Sequence, residues 1–132
     1  MILGIGTDLV QVERMRSLLE RHGERLLQRL LHPDEQAELP KLRPEAFVAK
    51  RFAAKEALAK ALGCGVGVQM ALTDACVTHD VAGRPGLALT GAAADTAARL
   101  GVTRIHLSLS DEHDYAQAFV VLEGEPPGPS GG

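Results

Sequence analysis

Apolar residues cluster first at Ile2, Leu3, Ile5, Leu9, Val10 and Val12, with Gly4 and Gly6 set among them. A short run of this kind reads as a buried strand, and glycines inside it let another backbone approach closely. From Glu13 to Leu31 the chain turns to Arg, Leu and Glu without proline, which predicts helix, with Gly23 breaking or bending it. Met15, Leu19, Leu26 and Leu30 fall on one apolar stripe at helical spacing and face the core. Pro33-Asp34-Glu35 starts a fresh short helix that ends before Pro40. Pro44 then opens the longest helix, running to about Leu62 and stopped by Gly63.

The rhythm changes in the second half. Met70 to Asp80 is rich in Val, Thr and Ala and reads as a strand; Ala82-Gly83-Arg84-Pro85-Gly86 is a turn, and Leu87 to Thr90 returns as a second strand. Gly91 to Leu100 is an alanine-rich helix ending at Gly101. Arg104 to Ser110 alternates, with Ile105, Leu107 and Leu109 on one side, and Tyr115 to Glu123 closes a hairpin after a turn at Asp111 to Asp114. A strand, helices, then strands with one more helix predict an α+β domain over residues 1–123, and the Pro- and Gly-rich tail 124–132 is expected to be disordered.

Composition narrows the function. At 132 residues the chain fits one domain with its own core. A net charge of -3 excludes a globally basic nucleic-acid binder. Phe47, Phe52, Phe119 and Tyr115 are the only aromatics, which excludes a base-stacking platform. Cys64 and Cys76 lack metal-site spacing and read as reduced thiols. No apolar run is long enough to span a membrane, and the N-terminus lacks signal-peptide features, so a cytoplasmic protein is expected. Charge is uneven: residues 1–60 hold 11 basic and 9 acidic groups, residues 61–132 hold 3 and 8. The basic groups concentrate in 14–29 and 41–60, which makes these the stretches of interest.

Asp8, at the end of the first strand, is either a turn former or a ligand for a hard cation. On the long helix, Phe52, Glu56 and Lys60 stack on one stripe, with Arg51 and Lys55 beside it. That stripe is either a solvated face with a Glu56–Lys60 ion pair or part of a site. The glycine alternation Gly63-Cys64-Gly65-Val66-Gly67 exceeds what a helix cap needs and suits a loop that approaches a phosphate. If the helix after Asp8 is continuous, Arg14, Leu18, Arg21, Arg25 and Arg29 share a stripe, either solvated beside Glu20 and Glu24 or facing an acidic partner. The five histidines form no zinc pattern, and there is no nucleophile elbow. For an enzyme, this is a kit for phosphoryl transfer: a carboxylate-held cation with basic groups and glycines around a phosphate.

Ile5-Gly6-Thr7-Asp8-Leu9-Val10 followed by Glu13-Arg14-Met15 resembles the N-terminal GxGxDhhxxxRh signature of holo-acyl-carrier-protein synthases. Arg51-Phe52-Ala53-Ala54-Lys55-Glu56-Ala57 with Lys60-Ala61-Leu62-Gly63 is similar to their second signature, RFAxKEAxxKAhG. Gly83-Arg84-Pro85, and Ser108-Leu109-Ser110 ahead of Tyr115-Ala116, match later landmarks in the same order. The likeness spans roughly residues 2–123. It implies a 4'-phosphopantetheinyl transferase that moves phosphopantetheine from coenzyme A to a serine of apo-acyl carrier protein for fatty acid biosynthesis, releasing adenosine 3',5'-bisphosphate.

By motif position, the resemblance makes Asp8 and Glu56 the Mg2+ ligands and, with Lys60, the catalytic set. Lys60 and Arg51 would meet coenzyme A phosphates, Gly63 and Gly65 would let the backbone close in, and Arg84 and Pro85 would border the nucleotide. Glu56 would take the serine proton, with Glu35 as second candidate. Arg14, Leu18, Arg21 and Arg25 would dock the acidic helix of the carrier, and the protein would be a homotrimer with sites between subunits. Many family members carry Ser-His-Ser/Thr where this chain has Ser110-Asp111-Glu112. The competing readings are a broader transferase for secondary-metabolism carriers, which is a longer chain of two fused halves, a non-catalytic carrier-binding subunit, and a plain magnesium–nucleotide binder.

Overall fold

The computed structural model describes residues 1–128. The chain runs β1 (Ile2–Gln11), α1 (Val12–His22), α2 (Glu24–Leu30), α3 (Pro33–Ala37), α4 (Pro44–Leu62), a single 3-10 turn (Leu72–Asp74), β2 (Ala75–His79), β3 (Pro85–Leu89), α5 (Gly91–Leu100), β4 (Val102–Asp111) and β5 (Tyr115–Gly124). It is the α+β architecture predicted. An antiparallel sheet has the order β1-β5-β4, and β2 and β3 form a separate hairpin. β5 runs to Gly124, one residue past the expected domain end; the last four residues of the expected disordered tail lie outside the described residues.

α4 is the spine. It lies across β1 and β5 and buries Val48, Ala49, Ala53, Ala54, Ala57, Leu58, Ala61 and Leu62. A helix buried on nearly all sides needs small residues where strands cross it. The glycines of β1 complete the fit. A Cβ on Gly4 would lie 2.0 Å from the Ala61 carbonyl oxygen, and one on Gly6 would lie 1.9 Å from that of Ala57. The close backbone approach read from these glycines is therefore real.

β1 is not buried on both faces: Gly4, Gly6 and Val10 turn to α4, whereas Ile5 and Leu9 remain 57% and 60% exposed because no element among the described residues covers the other face. Gly23 breaks the N-terminal helical stretch, one of the two outcomes expected there, and at φ +52 separates α1 from α2. Arg14 and Arg21 therefore sit on α1, and Arg25 and Arg29 on α2, so the arginine stripe is not one continuous row. The strand expected from Met70 begins only at Ala75. Asp74 accepts the Ala71 N–H through its side chain and folds the preceding residues into the 3-10 turn.

Candidate active site

Asp8 and Glu56, 48 residues apart in sequence, line one cavity of about 440 Å³ together with Arg14, Met15, Leu18 and Phe52. The glycines explain how. With no Cβ between them, β1 and α4 pack backbone to backbone, and Asp8, two residues beyond Gly6 on the same face of β1, meets the flank of α4 that carries Glu56. Burial raises the Glu56 carboxyl above the ordinary carboxylate range, the negative charge of Asp8 raises it further, and Lys60 partly offsets both. The two carboxylates repel across the cavity. A divalent cation between them would relieve that repulsion, and an all-oxygen donor set suits magnesium, so these residues fit the ion implied by the resemblance.

Lys60 is placed differently from the expected helix pair. Its Nζ donates to Asp8 Oδ1 and to the Thr7 carbonyl, both at 2.9 Å, and not to Glu56. The strand supplies a carboxylate and a carbonyl together, which outcompetes one carboxylate a turn away on the same helix. Lys60 thus holds a cation against Asp8, half-exposed and able to swing out.

Of the other residues implied by the resemblance, Arg14 and Leu18 line the cavity, while Arg21 and Arg25 are exposed on α1 and α2. Gly63, at φ +72, caps α4, and neither it nor Gly65 has a neighbour that a Cβ would strike. Arg84 closes the turn after β2 and Pro85 opens β3, and neither lines the cavity. Arg51 is only 6% exposed; its guanidinium stacks 3.7 Å above the Phe47 ring and does not line the cavity. Glu35, the second candidate for the base, is 1% exposed and bound by Lys55, so it has no path to a substrate proton. Asp111 pairs with Lys50 at 3.8 Å.

The sequence reading did not place Gln11 and Tyr115 in the cavity wall. Neither has a local signal: antiparallel pairing of β1 with β5 sets Tyr115 opposite Gln11. Both lie on the outer face of the sheet, so the cavity opens round the end of β1 onto that face. On the far side of Phe52 lies a second cleft of about 410 Å³, formed by Leu26, Arg29 and Leu30 of α2 with Val66 and Leu72. Among the described residues one trio could also ligate a metal, His32, Asp34 and Cys76. His32 Nδ1 there already accepts the Asp34 N–H at 3.0 Å, which ties up that ring nitrogen.

Comparison with known proteins agrees in extent and in fold. The family model described as 4'-phosphopantetheinyl transferase superfamily matches residues 4–120. A protein of Alkalilimnicola ehrlichii named holo-(acyl-carrier-protein) synthase is 55% identical over 125 residues, covering 93% of this chain and 98% of its own. The crystal structure of the holo-(acyl-carrier-protein) synthase from Neisseria meningitidis is 40% identical and superposes with a TM-score of 0.87, covering 93% of this chain and 99% of that one. The Bacillus anthracis structure, in complex with CoA (3',5'-ADP), is 34% identical with a TM-score of 0.77 and covers 95% and 99%.

Proposed function

The chain belongs to the 4'-phosphopantetheinyl transferase superfamily, and from that premise we propose that it acts as a magnesium-dependent holo-acyl-carrier-protein synthase. It moves 4'-phosphopantetheine from coenzyme A to a serine hydroxyl of apo-acyl carrier protein and leaves adenosine 3',5'-bisphosphate. The observation that carries the reading is the meeting of Asp8 and Glu56 in one cavity beside Lys60. Full-length similarity to enzymes of that name, one of them with coenzyme A bound, supports it.

The serine oxygen attacks the phosphorus that bears pantetheine, the bond to the bridging pyrophosphate oxygen breaks, and the serine proton must go to a base. Glu56 is suited to that base role because its raised proton affinity brings it closer to the working pH. Lys60 turns from Asp8 towards the leaving phosphate and offsets the charge that grows there. Magnesium held by Asp8 and Glu56 would neutralise the pyrophosphate and orient it. Gly63 and Gly65, with no side chain in the way, suit close passage of a phosphate, and Arg51, Arg84 and Pro85 are the remaining candidates for the nucleotide end.

Arg14 and Leu18 at the cavity, with Arg21 and Arg25 beyond it, form the surface for an acidic carrier helix. The cavity opens onto a sheet face where Ile5, Leu9 and Phe119 are exposed. Apolar area of that kind calls for a partner, and further copies of the chain seated there would wall the cavity and give a homotrimer. A cytoplasmic place in fatty acid biosynthesis completes the proposal. The test is mass spectrometry of apo-acyl carrier protein incubated with this protein, magnesium and coenzyme A. A mass gain of one phosphopantetheine, lost with Glu56→Gln, supports the reading, and an unmodified carrier refutes it. Light scattering that finds an active monomer refutes the trimer.

A further inference from the structure

Lys55 is adjacent to Glu56 in sequence, about 100° round the helix; Glu56 lines the cavity, and Lys55 is buried in the interior. Its side chain is 0% exposed and Glu35, at 1%, is its counter-ion. Nζ donates to Glu35 Oε1 at 2.5 Å and to the Leu30 carbonyl at 2.7 Å. Glu35 in turn accepts the His32 N–H on Oε1 and the Val77 N–H on Oε2, both at 2.9 Å. One ion pair thus joins the end of α2, the start of α3, the middle of α4 and β2.

α2 depends on that junction. It has seven residues, fewer than hold a helix in isolation, and it follows a left-handed glycine with no side-chain cap. Beyond α1 it packs mainly on the 3-10 turn. Lys55 supplies a partner for one of its orphan end carbonyls and sets a cation at the negative end of the helix. The residues so fixed, Leu26, Arg29 and Leu30, form one wall of the cleft beside Phe52, and Arg25 lies on the same helix. Burying an ion pair is a poor route to stability alone, since an apolar pair of similar volume serves as well. What an apolar pair cannot do is bond the Leu30 carbonyl and hold the end of α2 in one place.

We propose that Lys55, through Glu35 and the Leu30 carbonyl, is a positioning residue that fixes α2 as a carrier-selecting wall and takes no part in coenzyme A chemistry. The inference rests on the transferase reading above. It is tested with the double variant Lys55→Met/Glu35→Leu, which leaves no unpaired charge behind, in steady-state assays with apo-acyl carrier protein and coenzyme A. The KM for carrier rises about tenfold, while kcat at saturating carrier and the KM for coenzyme A stay within about twofold. Arg29→Ala raises the carrier KM in the wild-type background and adds nothing in the double variant, because its effect requires a fixed α2. A merely structural role predicts parallel changes in both KM values, or additive effects of Arg29→Ala. Either result, or an unchanged carrier KM, overturns the proposal. If the double variant does not fold, Lys55→Arg, which keeps the charge but reshapes the donor, carries the same comparison with the same outcomes. A wild-type protein that transfers nothing overturns the transferase reading and this one together, and is seen before any variant is made.

Discussion

Gly6→Ala should damage the site without touching any residue in it. The added Cβ would stand 1.9 Å from the Ala57 carbonyl oxygen and 2.8 Å from the Ala61 nitrogen, where 3.0 Å is the least that real contacts show. β1 and α4 must therefore separate by at least the difference between 1.9 and 3.0 Å, or 1.1 Å. Both neighbours are helix backbone, so no side chain can turn aside. Because Asp8 sits two residues along β1 and Glu56 next to Ala57, the separation passes directly into the distance between the two carboxylates. Overpacking of this kind costs about 1–3 kcal/mol, which for a domain of this size lowers Tm by roughly 3–15 °C. Misplacing reacting groups by about 1 Å costs on the order of a hundredfold in rate. The assay is carrier modification by mass spectrometry at a temperature where both proteins are folded, with melting followed at several magnesium concentrations. Gly86→Ala is the control. Its Cβ meets only the Thr78 hydroxyl, at 3.2 Å, which can rotate, so activity stays near wild type. A folded Gly6→Ala protein with activity within about threefold of wild type would refute the claim that glycine packing sets the placement of Asp8 against Glu56.

Asp8→Asn and Glu56→Gln should each fold, lose roughly a hundredfold or more in transfer, and no longer melt higher when magnesium is added; retained transfer by Glu56→Gln would return that residue to an ordinary surface role. Because Glu56 is raised above its ordinary 4.5 in the folded protein, the native state holds more protons than the unfolded one from about that pH upward, and stability falls as pH rises through the window. Without metal, Glu56→Gln should melt with wild type below pH 4.5 and above it at neutral pH, and the opposite order would contradict the shift. Arg14→Glu or Arg21→Glu should raise the carrier KM far more than the coenzyme A KM, an effect that added salt mimics in wild type; equal changes would remove these arginines from docking. Lys55→Met alone, which strands the buried Glu35 carboxylate, should cost about 3–5 kcal/mol in denaturant unfolding, and a loss below about 1 kcal/mol would show that the pair is not buried in solution.

How much of this was legible follows from which interactions are local. Pro44 and Gly63 bracket α4 with chemistry that acts within a turn, and the helix occupies that span. Gly91 to Leu100 and the strand alternation around Leu107 read correctly for the same reason. Gly23 was readable as a break or bend, and its φ of +52, which glycine adopts freely, makes it the break between α1 and α2. Asp8 and Glu56 could be singled out as carboxylates in suggestive places; their meeting could not be read from spacing, because it depends on β1 lying on α4. The family signatures supplied that pairing.

The burial of Lys55 and Arg51 is what periodicity could not give. At helical spacing they lie beside the Glu56 stripe, which stayed open between a solvated face and part of a site, and the resemblance set Arg51 at a coenzyme A phosphate; neither reading anticipates that both are buried. Yet the same helix carries alanine or leucine at positions 53, 54, 57, 58, 61 and 62, small and apolar on nearly every side. A helix of that composition is enclosed, and any charge on it must find a counter-ion inside. The partner, Glu35, lay in plain view in the short Pro33 helix, 20 residues upstream of Lys55. Periodicity assigns a residue to a face; whether that face is wet is decided by what packs on it. The burial of Lys55 therefore says that α4 is covered where that side chain emerges, at the Leu30 carbonyl that ends α2 and at Glu35 of α3.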